Sequence, residues 1–202
     1  MGVERHYRPK AALVRQGDPG GFLLVLTRGR VAVLANQEDG AGALVALRAA
    51  GDLIGEMATR SGSVRVATVV ALDECTARLL PMATMNHFLD THDVRDAMSH
   101  HLVAKLSETV PYQVRLVHFS AGQRLARLLL EIVALADPDH PEPLRLPLSQ
   151  ESAATALGLS RSTVADQVAA WRRDGTLSAG PRLVVANPRL LARHAGVIGV
   201  TS

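Results

Sequence analysis

The chain has 202 residues, a formal net charge of +3 and 48% hydrophobic residues, enough for one large or two small domains with a buried core. Its single cysteine, Cys75, excludes an internal disulfide and cysteine-rich zinc or iron-sulfur sites, and it fits a reducing cytoplasm. No run approaches the roughly 20 apolar residues of a membrane span, and no apolar signal core follows the charged N-terminus, so we expect a soluble protein.

Short apolar runs separated by turn residues fill the chain from Ala11 to Leu80. Each run has the length of a strand, and the breaks contain the Gly, Asp, Asn and Pro residues that favour turns. The runs are residues 11–14, 22–26, 31–34, 43–47, 64–72 and 77–80. Many short strands at even spacing predict an all-β sandwich, roll or barrel for this half of the chain.

After Pro81 the periodicity becomes helical, and the stretch from Val94 to Phe119 predicts one long helix. Its two adjacent apolar rows are Leu102, Leu106, Thr109, Gln113 and Leu116 in one and Val103, Val110, Val114 and Val117 in the other. Two rows make a face wider than one neighbour needs. We therefore expect one row to pack on the preceding residues and the other on the same helix of a second subunit. A single wide stripe buried within a monomer is the alternative.

Pro111 lies inside this predicted helix. A proline leaves the carbonyl four residues earlier, on Ser107, without its amide donor. The helix is therefore expected either to bend at this point or to stop and restart with Pro111 in its first turn.

A second helix is predicted from Ala121 to Ala136, followed by a proline-rich acidic connector over residues 137–143. Two short helices joined by a glycine-containing turn then follow between Leu148 and Leu177. Ser149 and Ser160 can cap them, and Gly158 ends the first. The second helix buries Val164, Val168 and Trp171, which recur at i, i+4 and i+7. This pattern predicts a helix-turn-helix, whose second helix enters the major groove of DNA.

Small residues on the exposed face of the second helix would let it approach base edges. Arg161, in the first turn, is the residue most able to read a guanine through hydrogen bonds to O6 and N7. Asp166 only accepts hydrogen bonds and suits a cytosine amino group. The hydroxyls of Ser149, Ser160 and Thr163 lie where phosphate contacts set the register.

Two helices that merely pack together are the alternative to a DNA reader. The following segments favour DNA, because residues 176–186 predict a small hairpin or wing and Pro188 to His194 a short helix. Residues 145–202 also carry 7 Lys and Arg against 3 Asp and Glu, a net of +4, whereas residues 1–119 carry 13 against 12, a net of +1. A basic C-terminal end favours a polyanionic partner.

One part of the β half has the chemistry of an anion site. Residues 51–57, Gly-Asp-Leu-Ile-Gly-Glu-Met, are followed by Arg65-Val66-Ala67-Thr68. Arg65 offers a fixed positive fork to a cyclic phosphate, and the backbone amides of Val66 and Ala67 can add donors. Glu56 can accept from a ribose 2'-hydroxyl, while Gly55 permits close backbone approach. A surface salt bridge between Arg65 and Glu56 beside a turn is the alternative.

From about Ala11 to Ala186 the sequence resembles the CRP/FNR family of bacterial transcription regulators. The matching motifs are Arg15-Gln16-Gly17-Asp18, Gly29-Arg30-Val31-Ala32-Val33-Leu34, Gly51-Asp52-Leu53-Ile54-Gly55-Glu56 and Gly158-Leu159-Ser160-Arg161-Ser162-Thr163-Val164. The resemblance implies an α+β protein with a β-roll over residues 1–93, a dimerisation helix over 94–119 and a winged helix-turn-helix over 120–202. It also implies a cytoplasmic homodimer on double-stranded DNA whose effector reorients the reading helices, with RNA polymerase as a partner if the protein activates.

Cyclic AMP is the first choice of effector by this resemblance. The expected ligand-binding residues are Gly55, Glu56, Met57, Arg65, Val66, Ala67 and Thr109. Val66 stands where the bacterial cyclic-AMP regulators usually have serine, so the backbone donor is kept and a hydroxyl is lost. Thr109 aligns with the adenine-contacting threonine, but Val110 replaces the serine that the partner subunit supplies. Cyclic GMP, cyclic di-GMP, another small molecule or no ligand remain alternatives.

The DNA-reading end departs from the family pattern. The expected DNA-binding residues are Ser149, Gln150, Ser160, Arg161, Ser162, Thr163 and Asp166. The family's common Arg-Glu pair followed by a basic residue is here Arg161, Ser162 and Asp166, and Gln167 occupies a usually apolar position. The operator therefore need not be the familiar one.

Other functional classes fit less well. The histidines between His87 and His101 form no His-x3-His pair with a carboxylate on the same face, so no metal site is expected. No serine stands in a nucleophile elbow, so no enzyme is expected. The remaining rival is a cyclic-nucleotide-binding regulatory subunit whose helical tail docks on protein.

Overall fold

The computed structural model describes residues 2–36, 42–59 and 64–197, with side chains left undescribed at residues 36, 59 and 108–117. The contacts divide the chain into two units, Met1–Asn36 with Val45–Val114 and Gln37–Leu44 with Arg115–Ser202. In the part of the chain that the structure describes, the first unit contains antiparallel sheet and three helices, and the second is mostly helical. The predicted α+β class is confirmed.

Among the described residues, eight strands form two antiparallel sheets, in the orders β1-β8-β3-β6 and β2-β7-β4-β5. The strands are β1 Val3–Tyr7, β2 Ala12–Val14, β3 Phe22–Arg28, β4 Val31–Asn36, β5 Gly42–Arg48, β6 Leu53–Ile54, β7 Thr68–Ala71 and β8 Cys75–Pro81. Both sheets contribute to one apolar core, which includes Leu24 and Leu26 of β3, Val31 of β4 and Val69 of β7. Because successive side chains of a strand point to opposite faces of its sheet, Leu24 and Leu26, two residues apart, share the face of β3 that lines this core.

Two details of the β half differ from the sequence prediction. The charged segment Val3–Tyr7 forms an edge strand on β8 although most of it is exposed, because strand pairing is satisfied by backbone hydrogen bonds and does not require apolar side chains. The run predicted over residues 64–72 is a strand only at Thr68–Ala71, and its first part carries the isolated bridge of Val64 to Pro19. That part of the run holds Arg65.

Helices occupy the rest of the first unit and run into the second. They are α1 Glu56–Thr59, α2 Met82–Thr91 and α3 Arg95–His118. The predicted long helix is confirmed, and its backbone is helical without a break from Arg95 through Pro111 to His118, so the stop-and-restart alternative is wrong. Within the described residues, no helix combines the length and apolarity needed to cross a bilayer.

The second unit contains α4 Ala121–Ala134, α5 Gln150–Leu157, α6 Arg161–Arg173 and α7 Pro188–His194. Its core includes Leu125, Leu129 and Ile132 of α4, which share a face with 3.6-residue periodicity, and Trp171 of α6. The predicted wing is present as backbone pairs, with Leu177 bridged to Val185. A third segment that the sequence did not predict joins it, since the Leu146 amide donates to the Leu183 carbonyl at 2.9 Å.

Candidate functional site

Arg65 is a buried cation in the first unit, with 2% of its surface exposed. Its Nη1 donates to the Gly55 carbonyl and its Nη2 to the Phe22 carbonyl, each at 2.6 Å, and its guanidinium lies 4.7 Å from the centre of the Phe22 ring. A guanidinium out of water requires such acceptors. Burial lowers the pKa of Arg65 from its usual value, and the nearby Glu56 and Asp18 oppose that effect.

Gly55 is fixed by two independent constraints. Its φ is +85°, a backbone conformation that only glycine adopts readily. A Cβ at this position would also lie 2.2 Å from Arg65 Nη1, too close for any contact. The glycine therefore lets the backbone and the guanidinium approach, which the sequence interpretation anticipated for a ligand rather than for Arg65 itself.

The Arg15–Asp18 motif explains why Arg65 lies here. The Gly17 amide donates to the Arg65 carbonyl at 2.9 Å, and the Arg65 amide donates to the Asp18 carbonyl at 2.8 Å. Two bonds from a tight turn therefore hold the backbone of the arginine. Because its backbone is held in place, the Arg65 side chain reaches the carbonyls of Phe22 on β3 and of Gly55, just before α1, from a fixed position.

Glu56 is buried beside Arg65, with 4% of its surface exposed, and lies at the first position of α1. Lys105 of α3, 8% exposed, places its Nζ 2.9 Å from Glu56 Oε1 and also donates to the Leu53 carbonyl. Because Arg65 and Glu56 are both buried, the alternative of a surface salt bridge between these two residues is wrong. Sequence reasoning missed Lys105; its position four residues before Thr109, on the same helix face, was the available signal.

The other predicted ligand residues lie around this cluster. Met57 and Val66 are exposed, at 44% and 56%, and Ala67 is half-buried. The side chain of Thr109, like that of Val110, lies outside the described residues, although the backbone there is helical. Gly55, Glu56 and Arg65 are thus brought together, with Met57 and Val66 open to solvent beside them.

Two serine caps define the helix pair of the second unit. Ser149 accepts from the Ser152 amide, and Ser160 accepts from the Thr163 amide, each at 3.0 Å. Each cap satisfies an amide that the first helical turn leaves without a partner. Gly158 closes α5 with φ of +60°, the left-handed conformation expected of a helix C-terminus. Both predicted caps and the predicted break are confirmed.

The face of α6 that was predicted to read DNA is exposed. Val164, Val168 and Trp171 are each 1% exposed, so the opposite side, with Ser162, Ala165, Asp166 and Ala169, faces solvent. The Ser160 hydroxyl also lies 2.9 Å from that of Ser162 and 2.7 Å from that of Thr163, so the first turn of α6 presents three hydroxyls together. Gln150 is half-buried at the start of α5.

Gln167 has a structural explanation. A Cβ added to Gly122 of α4 would lie 2.8 Å from Gln167 Oε1, so the amide packs directly over that glycine. A polar residue at this usually apolar position therefore contacts a neighbouring helix.

Arg161 makes a contact that the sequence interpretation did not include. Its Nη2 donates to Glu151 Oε1, joining the first turn of α6 to the first turn of α5. The two side chains are 78% and 60% exposed, so the ion pair lies on the solvent side of the helix pair. The predicted guanine reader therefore forms an ion pair with an acidic residue of the preceding helix.

Comparison with known proteins agrees with both units. The cyclic nucleotide-binding domain family matches residues 4–92, and the Crp-like helix-turn-helix domain family matches residues 123–194. The cAMP-activated global transcriptional regulator CRP of Salmonella typhimurium is 26% identical over 161 residues, which are 78% of this chain and 77% of that protein.

Solved structures of other proteins share the fold, among them those of two regulators. A CRP-family transcriptional regulator of Thermus thermophilus superposes with a TM-score of 0.78 at 23% identity, covering 95% of this chain and 96% of that one. The c-di-GMP responsive global regulator CLP of Xanthomonas campestris superposes with a TM-score of 0.72 at 22% identity, covering 92% and 94%. With a cyclic nucleotide-binding domain followed by a Crp-like helix-turn-helix, the chain belongs to the CRP/FNR family of DNA-binding transcription regulators and is not an enzyme.

Proposed function

We propose that this regulator binds DNA as a homodimer and that a cyclic nucleotide, with cyclic AMP as the first choice, controls it from the β-roll. In this proposal residues 1–93 bind the effector, residues 94–119 form the dimer interface and residues 120–202 bind DNA. If the protein activates transcription, RNA polymerase is its further partner. The observation that carries the effector proposal is the cluster of Gly55, Glu56 and Arg65 in one buried corner of the roll.

The donors and acceptors of the cluster are complementary to a cyclic phosphate and its ribose. A guanidinium has five N–H donors, and the two bonds to backbone carbonyls involve one donor on each terminal nitrogen of Arg65. A phosphate oxygen that reaches another N–H group of Arg65 would form charge-assisted hydrogen bonds, which are roughly twice as strong as neutral ones. The carboxylate of Glu56 would accept from a ribose hydroxyl in competition with Lys105.

Lys105 supports the control of α3 by the same ligand. It joins Glu56 directly to α3 at 2.9 Å, so a ligand that draws Glu56 away must break or rearrange a buried ion pair on that helix. Near it on α3, Val103 and Leu106 expose 62% and 50% of their surface. Exposed apolar residues three positions apart on a long helix support the pairing of α3 with a second subunit.

Isothermal titration calorimetry tests the proposal directly. Cyclic AMP should give a saturable heat with the wild-type protein, and Arg65→Ala should weaken its affinity by about 100-fold or more, because about two charge-assisted hydrogen bonds are lost. Arg65→Lys should fall between the two, since it keeps the charge and loses the fork. Arg78→Ala, which removes an exposed arginine from β8 of the same unit, is the matched control and should bind as the wild type does.

The same titration decides the nucleotide. Cyclic GMP and cyclic di-GMP are titrated in parallel, because one solved relative is a c-di-GMP responsive regulator. If only cyclic di-GMP gives a saturable heat, cyclic di-GMP and not cyclic AMP is the effector. Wild-type protein that gives no heat with any of the three, while its circular dichroism shows a folded chain, would overturn control by a cyclic nucleotide.

A further inference from the structure

We infer that Glu151 is a specificity-determining residue of the DNA-binding unit. Its carboxylate positions Arg161 for base reading, and its negative charge weakens non-specific binding to DNA phosphates. The inference rests on the proposed reading role of Arg161. It starts from the ion pair that joins the first turns of α5 and α6, in which Arg161 Nη2 donates to Glu151 Oε1.

The pair does not serve the stability of the fold in any evident way. Arg161 and Glu151 are 78% and 60% exposed, and ion pairs this open to water contribute little to folding. The helix pair is already fixed by the Ser149 and Ser160 caps and by the buried side chains of Val164 and Trp171. An exposed carboxylate on the face that meets a polyanion therefore calls for a functional reason.

Positioning is compatible with reading because the guanidinium has enough donors. A guanine edge takes two of its five N–H groups, and Glu151 accepts from Nη2, so one guanidinium can bind both. A free arginine side chain retains large rotamer freedom that binding must remove. Holding Arg161 against a rigid helix turn before DNA arrives reduces that loss, which is the general effect of preorganisation.

The charge of Glu151 acts in addition to its position. Unspecific binding to duplex DNA comes almost entirely from phosphate neutralisation. A carboxylate paired with Arg161 cancels much of that arginine's attraction for any phosphate, but leaves its directed hydrogen bonds to a base edge. Glu151 therefore lowers unspecific affinity more than specific affinity, and a larger ratio between the two is greater specificity.

Base preferences of the full-length protein provide the test. Binding sites are selected from randomised duplexes with wild-type protein, at saturating effector if calorimetry has identified one, and each variant is then measured on the selected site, its single-base variants and an unrelated duplex. Arg161→Ala should lose base preference at one position of each half-site by about tenfold to a hundredfold. Glu151→Gln should relax preference at that same position by about two- to fivefold and bind the unrelated duplex more tightly.

Two further variants separate position from charge. Glu151→Asp keeps the charge with a shorter side chain, so it should relax the base preference without the gain on unrelated DNA. Glu142→Gln removes the same charge from another exposed pair of this unit, with Arg145 at 2.6 Å, and should leave the preference unchanged. The side chains of Glu142, Glu151 and Arg161 are exposed, so variants at these three positions should fold as the wild type does.

The outcomes distinguish the inference from its premise. If Arg161→Ala relaxes one position and Glu151→Gln does not, or relaxes all positions equally, the role of Glu151 is wrong while the reading role of Arg161 stands. If Glu151→Gln strengthens specific binding with its base preference intact, Glu151 restrains Arg161 instead of positioning it. If Arg161→Ala changes no base preference, the reading role itself is wrong and the inference falls with it.

Discussion

Two glutamate ion pairs, one in each unit, place the same chemistry in opposite environments. Glu56 and Lys105 expose 6% and 9% of their side chains, whereas Glu151 and Arg161 expose 60% and 78%. In the first pair each charge depends on the other, because a buried ion without a partner is strongly destabilising. In the second pair water solvates both charges, so either one is available to a ligand. The β-roll therefore holds the Glu56–Lys105 pair inside the fold, while the helix pair carries the Glu151–Arg161 pair at its surface.

This difference explains where each unit can respond. Under the proposed function, an effector that reaches Glu56 would disturb its buried pair with Lys105 of α3, and with it the packing of that helix. DNA that reaches Arg161 changes only surface contacts, so the reading unit can bind without repacking. The proposed roles thus assign sensing to a buried ion pair of the first unit and base reading to an exposed ion pair of the second.

The largest expected effect is at the buried pair. Glu56→Ala leaves Lys105 buried without its carboxylate and should lower the free energy of unfolding of the roll by about 3–5 kcal/mol. Urea unfolding followed by far-ultraviolet circular dichroism measures the change. The double variant Glu56→Leu with Lys105→Leu should recover most of the loss, since it leaves no unpaired charge.

Glu142→Ala is the control for that experiment, because it breaks an exposed pair with Arg145 and should change the free energy of unfolding by at most about 1 kcal/mol. A loss at Glu56 no larger than the loss at Glu142 would contradict the contrast between buried and exposed pairs.

A smaller effect is expected at Gly55, with Gly51 as its matched control. Both have positive φ, +85° and +97°, so alanine at either position should destabilise by about 1–3 kcal/mol through backbone strain. Only at Gly55 does the added Cβ also collide with Arg65, whereas at Gly51 it meets nothing within 4 Å. Effector affinity by calorimetry should therefore fall at least about tenfold in Gly55→Ala, the loss of roughly one charge-assisted bond, and stay unchanged in Gly51→Ala. Equal effector affinities in Gly55→Ala and Gly51→Ala would show that the position of the Arg65 guanidinium does not affect effector binding.

The smallest expected effect concerns the pH dependence of the second unit. Burial raises the pKa of Asp174, but hydrogen bonds from the Thr176 side chain and amide and from His194 outweigh it, so the pKa of this carboxyl is below its ordinary value. A carboxyl with a lowered folded pKa stabilises the fold above its unfolded value of about 4, and that contribution is lost as the pH falls through the folded pKa.

The melting temperature of Asp174→Asn between pH 6 and pH 2.5 tests this assignment. The melting temperature of the variant should fall less steeply with decreasing pH than that of the wild type. Identical slopes would show that Asp174 contributes nothing to the loss of stability in acid.

Local signals in the sequence were sufficient for the helix pair. Ser149, Gly158 and Ser160 were predicted as caps and break, and the structure has each in that role, because a cap is satisfied by atoms within three residues of it. The same reasoning could not find Lys105, which meets Glu56 across 49 residues of sequence. Nor could it find the strand at Val3–Tyr7, whose partner β8 is about 70 residues away.

The sequence by itself determined the all-β half, the long helix and the helix-turn-helix, since hydrophobic period, turn residues and caps act over a few neighbouring positions. It also supplied Gly55, Glu56 and Arg65 as a group of related chemistry. Only the tertiary structure decided what those groups contact: Arg65 is held by the Gly55 and Phe22 carbonyls, Glu56 by Lys105, and Arg161 by Glu151. Burial and partner choice depend on which elements meet, and no local pattern encodes that meeting.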